Sequence, residues 1–141
     1  MTWIVLALFS AISAAAVAIF GKLGLKDIDS TLATTIRSLI MTVFLLAISF
    51  SLGKFQQSKM VLISQKDWVL ITCSALAGAV SWLCYFMALK FGPAAAVSAI
   101  DRLSLVFVVI FAAAFLAEAW TIKTLFGVLS MVLGAFLITF K

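Results

Sequence analysis

In "PAAAVSAIDRLSLVFVVIFAAAFLAE", Pro93 to Glu118, an aspartate and an arginine, Asp101 and Arg102, stand side by side among apolar and small residues. A second lone arginine, Arg37, interrupts "STLATTIRSLIMTVFLLAISF". Charges in such surroundings serve either to hold one another or to hold a ligand, because an ionised group in hydrocarbon costs several kcal/mol unless it is paired or hydrated. Asp101 lies eight residues past Pro93, roughly 12 Å along a helix. Arg37 is expected at a similar depth from the same face, giving a layer of Arg37, Asp101 and Arg102 with one positive charge in excess. Such a layer suits a zwitterionic or anionic group on a small-molecule substrate. The structural alternative is an ion pair, with an arginine reaching back to the interface. On a helix Ser98 shares a face with Arg102, as Asp101 does with Ser104, so both serines are positioned to orient the charges.

Aromatic residues extend the candidate site. Trp82 and Tyr85 fall on one helix face with Gly78 and Leu89. Trp82 lies deep enough that its indole N–H needs a partner and is placed along the cavity. Tyr85, nearer the helix end, also suits an interfacial aromatic belt, where Trp3, Trp68 and Trp120 are expected as anchors. No other chemistry stands out. The chain has no histidine, and Cys73 and Cys84 are too far apart on one helix to bond. Metal and haem sites are therefore not expected, nor is any cofactor. No nucleophile elbow, phosphate loop or carboxylate pair points to an enzyme.

The elements that carry these residues follow from composition. Of 141 residues 66% are hydrophobic, 11% are charged and one is proline, far from the soluble norm. So small a soluble domain could not hide that much apolar surface. The fold class is an all-α integral membrane protein. A hydrocarbon core about 30 Å thick takes roughly 20 apolar residues per crossing, and five transmembrane helices fit, at about 2–20, 31–52, 68–89, 94–117 and 121–140. Strands are excluded, since these runs lack a barrel's alternation. The first run is read as a retained helix because it lacks the charged start of a signal peptide. Pro93 opens the fourth span and Thr121 caps the fifth. Gly21 and Gly24 end the first, and Glu118 closes the fourth by accepting from the following turn. The stretch "KFQQSKMVLISQKD", Lys54 to Asp67, reads as an interfacial segment or a simple loop.

Charge gives little orientation. Lys54, Lys59, Lys66 and Lys123 flank one face, while Lys22, Lys26, Lys90 and Lys141 flank the other, so the positive-inside rule has almost no bias to act on. Dual topology with antiparallel pairing of two copies is the expectation. The net charge of +5 reads as lysine flanking of membrane helices, with no nucleic-acid partner. Gly127, Ser130 and Gly134 form a small-residue stripe on the last span, a packing or dimer seam.

The run from Ser81 to Thr139, with aromatics before Ala88-Leu89-Lys90, a small-residue turn, a long apolar helix to Glu118, then Gly127 and Gly134, resembles the EamA domain of the drug/metabolite transporter superfamily. "FGKLGLKDIDSTLATTIRSLI" extends the resemblance over nearly the whole chain. It departs from the pattern where Leu103-Ser104 stand near the place of a usual proline, and in lacking a first-helix Glu. The resemblance implies one domain, 1–141, forming a half-transporter bundle, where longer relatives carry two such domains. A homodimeric secondary transporter of a small polar metabolite or drug, multi-pass in the cell (inner) membrane, is the implied function. A non-transporting assembly subunit and a lipid-linked-sugar flippase subunit are the alternatives.

Overall fold

The computed structural model describes residues 2–54, 64–116, 119 and 121–140. In chain order these residues form α1 (Thr2–Gly24), α2 (Ser30–Ser51), α3 (Gln65–Phe91), α4 (Ala94–Asp101), α5 (Ser104–Leu116) and α6 (Ile122–Thr139). With α4 and α5 taken as one interrupted segment, five stretches are long and apolar enough to cross a membrane. No strand occurs among the described residues. Lipid offers no partner to a backbone N–H or C=O, so helices that satisfy these groups internally are the form open to such sequences.

The helix ends show how the short connections are stabilised. Asp29 caps α2, its carboxylate accepting from the Thr31 and Leu32 amides at 2.9 and 3.1 Å. Those bonds, Leu32's foremost, hold the Asp29 carboxyl below its usual range. At the other end of α2, Gly53 takes a left-handed φ of 63°. The Gly53 amide bonds to Phe50 O and that of Lys54 to Ser49 O, the paired closure of a glycine-terminated helix. Thr121 caps α6 by accepting from the Thr124 amide, as the sequence indicates, and Pro93 occupies the N-cap of α4. α1 continues past Phe20 to Gly24, so Gly21 lies within the helix, and α3 starts at Gln65, three residues before Trp68. Glu118, Trp120, Lys141 and most of the Lys54–Asp67 segment lie outside the described residues.

By packing, the chain divides into two units: residues 1–23 with 91–141, and residues 24–90. In the first, α4 packs against α6. Among its described residues the buried side chains are Ala18, Ala96 and Ala135, one each from α1, α4 and α6. Small residues let helix backbones approach closely where lipid supplies no hydrophobic drive to associate. Lys22 Nζ donates to Gly92 O at 2.9 Å, tying the end of α1 to the turn before α4. The second unit buries Leu25, Phe86 and Leu89 with Ser30 and Thr34. There Lys90 Nζ reaches Ile28 O.

The fourth span departs from one continuous helix. The amides of Leu103, Leu105 and Val106 donate to Ile100, Arg102 and Leu103, three residues back instead of four. These bonds tighten the chain into a short turn of 3₁₀ type, a form that within a helix often marks a hinge. The turn falls beside the charged pair: Asp101 is the last residue of α4 and Ser104 the first of α5.

Candidate functional site

The α2–α3 unit contains a cavity of about 650 Å³. Its α2 wall includes the stripe Thr34, Arg37, Ser38, Met41, Thr42 and Leu45, with Thr35 beside it, and its α3 wall includes Ala75, Gly78, Ala79 and Trp82. Spacings of three and four place each set on one helix face. Small residues on α3 leave the space that α2's polar face borders, and a Cβ added at Gly78 would meet nothing within 4 Å.

Arg37 is the cavity's charged group. Its guanidinium carbon sits 3.8 Å from the centroid of the Trp82 ring and 5.2 Å from that of Phe86. Trp82, Tyr85 and Phe86 form an aromatic cluster, with Trp82 at 5.8 Å from each of the other two rings. The cluster gives the cation a fixed apolar platform, and such a contact is worth about 0.5–2 kcal/mol as water is excluded. The guanidinium lies over the Trp82 ring. Carboxylates and phosphates approach a guanidinium along its edge, in the plane of its N–H bonds.

The α1–α4 groove of the other unit encloses about 620 Å³. Ala11, Ala14, Ala15 and Ala18 of α1 face Ala94, Ala95, Ser98, Ala99 and Arg102 along α4 and its end. Ser98 and Arg102 thus share a face as their spacing indicates. Asp101 does not line this groove, since neighbours on a helix point about 100° apart. The helical face drawn from Asp101 to Ser104 is interrupted by the turn at Arg102–Leu103. Arg37 and the Asp101–Arg102 pair belong to different units.

On α6, a Cβ at Gly127 or Gly134 would meet nothing within 4 Å, Ser130 bonds back to Phe126 O, and Ala135 beside the stripe is buried. Cys73 and Cys84 are free and exposed. The residues that the charge-centred reading passed over are Thr34, Ser38 and Thr42. Their regular spacing of four, next to Arg37, was the available signal.

These features define a multi-pass, all-helical membrane protein with an arginine-bearing cavity set among its apolar segments. The chain belongs to the EamA-like transporter family, whose model matches residues 1–140. It is also similar to a Sinorhizobium sp. protein described as "Uncharacterized transporter in cobO 3'region", with 39% identity over 137 residues, 97% of this chain and 96% of that relative. No solved structure matches significantly.

Proposed function

We propose that the chain is a secondary transporter of a small polar metabolite or drug, working by alternating access as a homodimer in the cell (inner) membrane. The observation that carries this reading is the α2–α3 cavity of about 650 Å³, where Arg37 is held against Trp82 in otherwise apolar spans. Intramembrane charge that faces a cavity is a general mark of a substrate path. A relative matched along 96% of its own length is itself described as a transporter, in keeping with transport by a single unit of this size. Arg37, Trp82 and Tyr85 form the substrate-binding side in α2 and α3. Ser98, Asp101, Arg102 and Ser104 act around the interrupted fourth span. Two copies inserted in opposite senses supply the inverted halves on which alternating access is commonly built, and Gly127, Ser130 and Gly134 form their seam.

Release of polar metabolites from proteoliposomes, followed by mass spectrometry, tests transport. A defined subset is expected to discharge only with the protein present, and Arg37→Gln is expected to stop it. Release independent of the protein would remove the reading. Topology is tested with one cysteine at the C-terminus of a variant lacking Cys73 and Cys84, labelled by an impermeant reagent. Labelling of about half the copies in intact cells supports dual insertion, and all-or-none labelling excludes it.

A further inference from the structure

The transport reading leaves open what chemistry the α2–α3 cavity accepts, and the inference here rests on that reading. Thr34, Ser38 and Thr42 stand at successive turns of α2, all on the cavity wall. Each hydroxyl donates to the carbonyl four residues back: Thr34 to Ser30 O at 2.7 Å, Ser38 to Thr34 O at 2.8 Å, and Thr42 to Ser38 O at 2.9 Å. A hydroxyl has one proton and two lone pairs. With the protons committed to the helix backbone, the row presents acceptors to the cavity. Arg37 on the same wall is its opposite, all donor and no acceptor.

A ligand that satisfies both must therefore be two-sided. A carboxylate or similar oxyanion meets the guanidinium edge, and N–H or O–H groups elsewhere on the same molecule meet the Ser38 and Thr42 oxygens. Successive row positions are about 6 Å apart along the helix, a span that a chain of a few carbons bridges. An anion without donors would strip water from the row and return nothing, and a neutral polyol would do the same to Arg37. The cavity's exposed lining is mostly apolar, so water inside it is a poor substitute for either contact. We propose that the cavity selects donor-bearing organic anions, hydroxylated or aminated, with Arg37 reading the anion and Ser38 and Thr42 reading the donors.

The test uses the full chain in nanodiscs with Trp82 as sole tryptophan, through Trp3→Phe, Trp68→Phe and Trp120→Phe, so that the ring beneath Arg37 reports binding. D-gluconate, L-serine, propionate and D-glucose are titrated separately. Gluconate or serine is expected to bind at least about tenfold more tightly than propionate and glucose, and which of the two binds distinguishes a hydroxylated from an aminated ligand. Ser38→Ala and Thr42→Val each keep the helix and remove an acceptor. They are expected to weaken the donor-bearing ligand several-fold and to leave propionate unchanged. Propionate binding as well as gluconate and serine, an equal loss for propionate in both variants, or no binding by any of the four would overturn the proposal. Proteoliposome release separates the two levels. If Arg37→Gln transports normally, the site reading itself fails. If Arg37 is required but donor-free anions move as well as hydroxylated ones, only the ligand chemistry fails.

Discussion

The α2–α3 cavity and the α1–α4 groove are nearly equal in size, about 650 and 620 Å³, and each has one arginine on its wall, yet they are built differently. In the first, Arg37 lies over the Trp82 ring of an aromatic cluster, with a row of backbone-bonded hydroxyls beside it on α2. In the second, the walls are mostly alanine, with Ser98 among them, and Arg102 sits where the helix hydrogen-bonding changes register. A cation stacked on an aromatic ring beside a row of hydroxyls suits recognition. Smooth alanine walls beside an interrupted helix suit sliding and bending, since small side chains present few interlocking knobs. On the proposed transport reading, the difference corresponds to binding in one region and movement in the other.

The most severe test of that division is charge removal at each site. Arg37→Gln should weaken binding of the transported ligand by at least about 30-fold, whereas Arg102→Gln should change affinity by less than about fivefold and act mainly on turnover. Equal affinity losses in nanodisc titrations would erase the comparison. A pair of enlarged alanines comes next. Ala96→Leu overpacks the buried alanine core and should cost about 1–3 kcal/mol of stability, read as a lower unfolding temperature with ligand affinity retained. Ala79→Leu fills the α2–α3 cavity and should do the reverse. Trp82→Leu removes the platform under Arg37, and the loss of about 0.5–2 kcal/mol should appear as a roughly two- to thirtyfold rise in Kd, below that of Arg37→Gln.

Much of this arrangement was legible from residue types. Five apolar runs gave five spans because bilayer thickness fixes their length, and Pro93 and Thr121 sit at helix starts for the reasons their chemistry suggests. Trp82 lines the cavity with its ring face toward Arg37, a contact between two helices that spacing along one helix does not encode. The break after Asp101 was hidden for another reason. Neither proline nor glycine marks it, and apolar periodicity does not distinguish bonds to the third carbonyl back from bonds to the fourth. The hydroxyl row was visible as a spacing of four in "TTIRSLIMT", but its acceptor character depends on where each proton goes.

The smallest predicted effect concerns the entrance to α2. With the Asp29 carboxyl depressed below 3.8 by the Leu32 and Thr31 amides, its cap contributes stability above the unfolded value. That contribution disappears as pH falls through the lower folded one. Asp29→Ala should lower the unfolding temperature slightly at neutral pH, and the gap from the parent chain should close below about pH 4. A gap that persists in acid would show that the carboxylate's charge is irrelevant there.

The turn at Arg102–Leu103 also changes how the fourth span must be scanned. A residue in an α-helix advances the helical wheel by about 100° and one in a 3₁₀ turn by about 120°, so three tightened residues shift the phase by roughly 60°. A cysteine-accessibility stripe followed along α4 should therefore reappear on α5 displaced around the axis, and a single wheel drawn from Ala94 to Leu116 would assign wrong faces to the second half.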